Sequence, residues 1–342
     1  MTNHKKACVI GYPISHSLSP VIHNYWLKKY GIEGSYEAVE VAPENLENFL
    51  LNLDKNGYRG CNITIPHKER AFEVLGTPEL QNSRNPNLKL RSSEVPEFQE
   101  PLPAQVARLM GAVNTIVVDE NKNLVATNTD FLGFARNLIE NAPEFDYDKS
   151  TALILGAGGA GKAIAFALAS MQVPALVITN RTREKAEEIK NIMINNFGFP
   201  ASNIEVIDWE MREEILPHIN IVVNTTSLGM VKKEGEKDGR LEGEKDGSLE
   251  GQKEINLQSL KPSPLQTINL KTLPPKSLVT DIVYNPLETE LLKHARELGH
   301  IAVDGLGMLL HQAAPGFEAW FGKKPLVDKG LREAVLSAMA NR

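Results

Sequence analysis

The sequence predicts an α/β fold with mostly parallel strands, divided between two domains. Short β-branched runs alternate with helical stretches in a first series at residues 7–10, 21–30, 35–41 and 43–55. A second series of apolar runs covers residues 151–155, 176–179, 204–207, 221–224 and 278–282. This alternation is typical of parallel strands connected by helices. With 342 residues, 42% of them apolar, the chain is long enough for two cores.

Two stretches interrupt the alternation. Residues 77–103 are rich in Pro, Asn, Ser and Glu and lack a clear period. Residues 232–263 contain a tandem octad, in which Glu236–Gly243 and Glu244–Gly251 differ at one position. One Leu in each octad cannot supply a core, so we expect both stretches to be surface insertions.

The composition disfavours several classes of function. A net charge of −6 leaves no basic surplus for binding nucleic acid. The longest apolar runs are too short for a membrane span, and the first residues do not form a secretory signal. Cys8 and Cys61 lack metal-site spacing, and a disulfide framework needs more cysteines. We therefore expect a cytoplasmic protein that acts on a small molecule without a metal.

A glycine-rich turn at Gly156–Gly161 is the first motif that carries chemistry. It directly follows the apolar run 151–155 and precedes an Ala-rich helix, and its glycines fit the pattern G-x-G-x-x-G. In this strand-turn-helix context the pattern is the fingerprint of a Rossmann dinucleotide site, with the pyrophosphate at the helix N-terminus. A glycine turn without a ligand remains an alternative. A P-loop is disfavoured because Ala163 stands where a Mg²⁺-binding hydroxyl is needed.

The end of the next predicted strand favours NADP(H) over NAD. An NAD site usually carries an acidic residue there for the ribose 2′-hydroxyl. Here residues 180–185 read Asn-Arg-Thr-Arg-Glu-Lys, with no acid at the tip. Arg181, Arg183 and Lys185 could pair with a 2′-phosphate. The alternative is a solvated basic helix start.

The first half of the chain carries short polar signatures in apolar surroundings, at residues 15–20, 62–68, 111–115 and 128–130. Together they offer the hydroxyls, amides, amine and carboxylate that a polyol substrate needs for its hydrogen bonds. Each also has an ordinary structural explanation. Ser17 or Ser19 could cap a helix, Asn114 could form a turn, Asp130 could cap the following helix, and Lys68 could be a surface lysine.

The joint order of these motifs strongly resembles the shikimate dehydrogenase family, over about residues 9–320 without the two insertions. The matching segments are residues 11–20, 62–66, Lys68, 111–115, 128–130, 156–161, 180–182, 224–230, 281–286 and 304–309 with Gln312. The resemblance implies an oxidoreductase that reversibly reduces 3-dehydroshikimate to shikimate with NADPH, on the pathway to chorismate and aromatic amino acids.

The resemblance also implies roles for individual residues. Lys68 and Asp130 form the catalytic pair. The substrate contacts are Ser17, Ser19, Thr64, Lys68, Asn114, Asp130, Tyr284 and Gln312. The cofactor contacts are Gly156, Ala157, Gly158, Gly159, Ala160, Gly161, Asn180, Arg181, Thr182, Lys185, Ile282 and Gly305.

Carbonyl chemistry independently supports the assignment of Lys68. When hydride reaches a carbonyl carbon, the oxygen gains negative charge and needs a proton, and a positioned ammonium can stabilise the charge and donate. Asp130 would orient that ammonium and favour its charged form.

The family pattern further implies a domain organisation with a cleft between the domains. Residues 1–128 with 304–342 form the substrate-binding domain, and residues 129–303 form the NADP-binding domain. The chain departs from the pattern at His67, where an aromatic is common, and at Lys162, where Arg or Ser is usual. The alternatives are a quinate/shikimate dehydrogenase with broader substrate or NAD use, and a non-catalytic binding protein. We expect a monomer or homodimer.

Overall fold

The computed structural model describes residues 4–76, 103–229 and 268–341. The octad repeat lies outside these residues, as do all of the first predicted insertion except residue 103 and all of the second. Among the described residues, no helix is long and apolar enough to cross a membrane.

The first sheet contains five strands in the order β2-β1-β3-β4-β5. These strands are β1 (Lys5–Gly11), β2 (Gly34–Glu40), β3 (Tyr58–Ile63), β4 (Thr115–Val118) and β5 (Leu124–Thr127). The first three are parallel, whereas β4 pairs antiparallel with both β3 and β5. The helices of this part are α1 (Ser19–Tyr30), α2 (Leu46–Leu51), α3 (Lys68–Leu75) and α4 (Pro103–Met110).

The second sheet contains six parallel strands in the order β11-β10-β9-β6-β7-β8. They are β6 (Thr151–Leu155), β7 (Ala175–Thr179), β8 (Ile204–Ile207), β9 (Ile221–Asn224), β10 (Leu278–Asp281) and β11 (Ile301–Val303). Their helices are α5 (Asp130–Asn141), α6 (Gly159–Ser170), α7 (Arg183–Asn195) and α8 (Glu290–Glu297). This is the strand order of a doubly wound dinucleotide-binding sheet, which confirms the predicted fold class.

Two C-terminal helices return the chain to the first sheet. Helix α9 (Leu306–Phe321) and helix α10 (Lys329–Ala340) share one buried cluster with β1 and α1. In that cluster, Phe317 and Leu331 are buried together with Val9 and Trp26. All four elements therefore bury their apolar faces in this one cluster. The domain limits at residues 128 and 304 stay a prediction.

Helices α5 and α9 cross at a glycine. A Cβ added at Gly133 would lie 2.6 Å from the carbonyl oxygen of Met308 and 2.7 Å from the Cβ of Gln312. Next to this point, the Thr129 hydroxyl donates a hydrogen bond of 2.8 Å to the carbonyl oxygen of Gln312. The absence of a side chain at position 133 thus allows the two helices to approach closely.

We expect Gly133→Ala to lower the free energy of unfolding by about 1–3 kcal/mol, because the added methyl overpacks the crossing. Urea unfolding without ligands measures this change. Gly159→Ala is the matched control, since a Cβ there has nothing within 4 Å. A Gly133→Ala variant as stable as the control would contradict the importance of the close approach.

Candidate active site and dinucleotide site

Lys68 and Asp130 form an ion pair between the first residues of two helices. Lys68 begins α3 after the turn that follows β3, and Asp130 begins α5. The Lys68 Nζ lies 2.7 Å from the Asp130 Oδ2. The lysine side chain remains 31% exposed and the carboxylate 14% exposed. The pair is therefore partly shielded from water but still open to a ligand.

Asn114 holds the other oxygen of the same carboxylate. Its Nδ2 donates to the Asp130 Oδ1 at 2.8 Å, and its Oδ1 accepts the backbone N–H of Thr129 at 2.9 Å. A longer contact of 3.4 Å runs from the Asn114 Nδ2 to the Gln312 Oε1 of α9. The structure thus brings together four of the predicted substrate residues: Lys68, Asn114, Asp130 and Gln312.

Ser17, Ser19 and Thr64 follow the carboxyl ends of two neighbouring parallel strands, β1 and β3. The Ser19 N–H donates to the Ser17 Oγ at 3.3 Å. A Cβ added at Gly11 would lie 2.7 Å from the Thr64 Cγ2, so the chain after β1 passes close to Thr64. Lys68 lies four residues beyond Thr64, at the same end of the sheet.

Tyr284 reaches this region from the second sheet. It lies in the loop after β10 and packs against the buried cluster that contains Ile14 and Leu18. These two residues flank Ser17 in the sequence. The loop of Tyr284 and the segment of the predicted serines thus both contribute side chains to the same buried cluster.

The glycine loop has the backbone that a dinucleotide needs. Gly156 has φ = 110°, in the region that favours glycine, and a Cβ added at Gly161 would lie 2.6 Å from the Gly156 carbonyl oxygen. Cβ atoms at Gly158 and Gly159 would meet nothing within 4 Å. Open space therefore lies in front of the N-terminus of α6, where helix N–H groups favour a phosphate. Ala157 and Ala160 complete the predicted loop.

The segment after β7 completes the predicted cofactor site. The Ala157 N–H donates to the Asn180 Oδ1 at 3.2 Å, which ties this segment to the glycine loop. Arg181, Thr182 and Lys185 are exposed. Arg183 is instead bound to the Asp208 Oδ1 at 2.6 Å and to the Val206 carbonyl oxygen at 2.9 Å. Of the three basic side chains considered from the sequence, Arg181 and Lys185 are thus the two that extend into solvent without such contacts.

Ile282 and Gly305 lie against each other at the carboxyl ends of β10 and β11. A Cβ added at Gly305 would lie 2.3 Å from the Ile282 carbonyl oxygen, so only glycine fits there. The Ile282 N–H donates to the Asn224 carbonyl oxygen at 3.1 Å, which continues the sheet edge from β9. Both predicted residues therefore belong to the edge that also carries the glycine loop.

Three family models match the chain. Residues 9–83 match the shikimate dehydrogenase substrate binding domain, residues 138–234 match shikimate / quinate 5-dehydrogenase, and residues 305–335 match the shikimate 5'-dehydrogenase C-terminal domain. A curated relative from Brucella abortus, named shikimate dehydrogenase (NADP(+)), is 40% identical over 99% of this chain and 96% of its own length. The chain belongs to the shikimate dehydrogenase family.

Solved structures support the same relationship. A Thermus thermophilus shikimate 5-dehydrogenase in complex with NADP(H) and shikimate is 30% identical, with a TM-score of 0.67 over 98% of this chain and 99% of its own. A quinate dehydrogenase from Corynebacterium glutamicum in complex with NAD is 26% identical, with a TM-score of 0.72 over 98% of this chain and 99% of its own.

Asn224 and Asp281 were not among the predicted site residues, although both lie in the motifs of the family. The Asn224 Nδ2 donates to the Asp281 Oδ1 at 2.9 Å, and the Asn224 Oδ1 accepts the Thr226 N–H at 3.0 Å. The Asp281 Oδ1 also accepts the Val283 N–H at 3.0 Å. The two side chains therefore fix the loops that leave β9 and β10, including the loop of Tyr284. The signal that could have identified them from the sequence is their position: each polar residue lies at or next to the last residue of a predicted apolar strand.

Burial raises the pKa of Asp281 from 3.8 to about 6, against the opposing effect of hydrogen bonds from Val283, Thr289 and Asn224. Between these pKa values the folded chain keeps a proton that the unfolded chain has released. The contribution of Asp281 to the free energy of unfolding therefore falls as the pH rises through this window.

We expect Asp281→Asn to remove this pH dependence, since the amide keeps an acceptor for Asn224 and Val283 without titrating. The stability of the variant relative to the wild type should rise by about 1 kcal/mol between about pH 5 and about pH 7.5. Urea unfolding at both pH values measures the two differences. Equal differences would show that Asp281 does not titrate in this range.

Proposed function

We propose that this chain is an NADP-dependent shikimate dehydrogenase, which reversibly reduces 3-dehydroshikimate to shikimate. The observation that carries the proposal is the Lys68–Asp130 ion pair, held by Asn114 beside Gln312. The curated relative from Brucella abortus carries the same activity in its name. The reaction belongs to the pathway that leads to chorismate and aromatic amino acids.

Lys68 and Asp130 would act as the catalytic pair. NADPH, when bound, supplies the hydride that reduces the carbonyl carbon. As negative charge grows on the carbonyl oxygen, the Lys68 ammonium stabilises it and can donate a proton. Asp130 keeps the ammonium in place and balances its charge. In the reverse direction, Lys68 would accept the hydroxyl proton.

The remaining polar residues would hold the substrate. Ser17 and Ser19, in the segment that leads from β1 into α1, would bind the substrate carboxylate. Thr64, Asn114, Tyr284 and Gln312 would bind the carboxylate or the ring hydroxyls. These groups come from both sheets and from α9, so the substrate would contact both parts of the fold.

The cofactor would lie along the carboxyl edge of the second sheet. The glycine loop and the N-terminus of α6 would bind the pyrophosphate, and Ile282 and Gly305 would line the far part of the site. Arg181 and Lys185, together with Asn180 and Thr182, would bind the 2′-phosphate of NADP(H). We further propose a cytoplasmic monomer or homodimer whose ligands are small molecules.

Quinate is the second candidate substrate, because the similar structure from Corynebacterium glutamicum is a quinate dehydrogenase in complex with NAD. Initial rates of oxidation with shikimate or quinate, each with NADP⁺ or NAD⁺, distinguish the two candidates. We expect the highest kcat/KM for shikimate with NADP⁺. The Brucella abortus relative is named for shikimate and NADP(+), and the tip after β7 of this chain carries basic side chains and no acid. A higher kcat/KM for quinate with NAD⁺ would overturn the proposal in favour of the second candidate.

We expect Lys68→Ala to lower kcat by about 10²-fold or more, as the loss of an acid/base group does, with little change in KM for shikimate. Ser17→Ala should instead mainly raise KM, because it removes a contact made in the ground state. Steady-state kinetics of both variants test this division of roles. Lys122→Ala is the control for Lys68, since it breaks an exposed ion pair with Asp54. Wild-type turnover in Lys68→Ala would contradict the assignment.

A further inference from the structure

A buried chain of polar side chains runs from β2 to the Asp130 carboxylate. The Tyr36 hydroxyl donates to the Asn62 Oδ1 at 2.6 Å, and the Asn62 Nδ2 donates to the Thr115 Oγ1 at 3.0 Å. The Thr115 hydroxyl then donates to the Asn114 Oδ1 at 2.9 Å. The Asn114 Nδ2 finally donates to the Asp130 Oδ1 at 2.8 Å.

We infer that Tyr36, Asn62 and Thr115 are positioning residues for the catalytic pair, acting through Asn114 on Asp130. The inference rests on the proposed function, since it assigns them to the same reaction. The resemblance to the family assigned no role to these three residues.

Backbone groups fix the direction of the donors. The Asn114 Oδ1 must face the Thr129 N–H, which only donates, so the Asn114 amide nitrogen faces Asp130. The Asn62 Nδ2 must face the Asn114 carbonyl oxygen at 3.2 Å, which only accepts. The Asn62 Oδ1 therefore faces Tyr36. Because Thr115 has one hydroxyl proton and gives it to Asn114, it must accept from Asn62.

The first donor of the chain is held firmly. The ring of Tyr36 stacks on His23 with centroids 3.9 Å apart and an interplanar angle of 13°. Burial raises the pKa of the Tyr36 phenol well above its usual range, against a smaller opposing effect of Ser19. The phenol thus keeps its proton and continues to donate. The contact with Ser19 also connects the chain to a proposed substrate residue.

Burial raises the free-energy cost of losing any hydrogen bond of the chain. Tyr36, Asn62, Thr115 and Asn114 are all at most 5% exposed. In such surroundings water cannot replace a missing partner, and successive hydrogen bonds polarise one another. Loss of one link would let Asn114 and Asp130 shift relative to Lys68. Such a shift affects the chemical step, which depends on alignment, more than it affects binding.

Thr115 offers a matched pair of variants. Thr115→Val keeps the β-branched shape but removes the hydroxyl, whereas Thr115→Ser keeps the hydroxyl. The fold should tolerate Thr115→Val, because the Asn62 Nδ2 retains the Asn114 carbonyl oxygen and the Asn114 Oδ1 retains the Thr129 N–H. Tyr36→Phe is a second variant, which keeps the ring stack and removes the phenol hydroxyl, and with it the first donor and the contact with Ser19.

The experiment measures kcat, KM for shikimate and KM for NADP⁺ in the full chain. We expect Thr115→Val to lower kcat by about 10- to 100-fold with both KM values nearly unchanged, and Tyr36→Phe to lower kcat in the same way. Thr115→Ser should retain most of the wild-type kcat. In an Asp130→Asn background, Thr115→Val should cause no further loss of the residual kcat, since its effect passes through Asp130.

Three results would overturn the inference: wild-type kcat in Thr115→Val and Tyr36→Phe, equal losses in Thr115→Ser and Thr115→Val, or a full further loss in the Asp130→Asn background. If Thr115→Val fails to fold, the same two measurements are made on Tyr36→Phe: its kcat relative to the wild type, and its further effect on kcat in the Asp130→Asn background. A wild-type protein inactive on shikimate with NADP⁺ would refute the proposed function instead, so the two failures are distinguishable.

Discussion

The carboxamide of Asn114 is the interaction on which the site and its surroundings depend. It lies directly before β4, accepts the Thr129 N–H and donates to the Asp130 carboxylate. A single side chain next to the first sheet therefore fixes the first turn of α5, the helix that leads into the second sheet. Because α5 crosses α9 closely at Gly133, the position of Asn114 also affects the C-terminal helix that carries Gln312.

A second buried polar pair organises the nucleotide side. Asn224 and Asp281 end neighbouring strands and accept or donate hydrogen bonds within the loops that follow. A buried carboxylate is expensive, and the raised pKa of Asp281 reflects that cost. The buried pair lies where the loops after β9 and β10 begin, and its hydrogen bonds hold the first residues of both loops in place. One of those loops carries Ile282, which we propose to contact the cofactor, and Tyr284, which we propose to contact the substrate. The conformation of this loop would therefore affect the binding of both.

The sequence was informative where the signal is local. The strand before Gly156 and the glycine spacing predict the dinucleotide turn, because turn, helix start and close packing all lie within a few residues. The hairpin of β4 and β5 was not predicted as strands, since each strand has only four residues and no long alternating pattern. Thr115 and Asn62 are 53 residues apart, so their contact depends on strand pairing that no short motif encodes. The sequence alone makes Arg183 and Arg181 equivalent candidates for a 2′-phosphate. They differ because the pairing of β7 with β8 brings Asp208 close to Arg183.

Neutral donors suit the Lys68–Asp130 pair better than a second cation would. An additional ammonium or guanidinium beside Asp130 would compete with Lys68 for the same carboxylate and would repel the Lys68 charge. The Asn114 amide instead donates an N–H to Asp130, and the Thr115 hydroxyl donates to Asn114 behind it, so neither adds net charge. Asp130 can thus be held by Asn114 on one oxygen and still pair with Lys68 through the other. The Lys68 ammonium has three N–H donors and uses one of them on Asp130, which leaves others to meet a carbonyl oxygen as its charge develops.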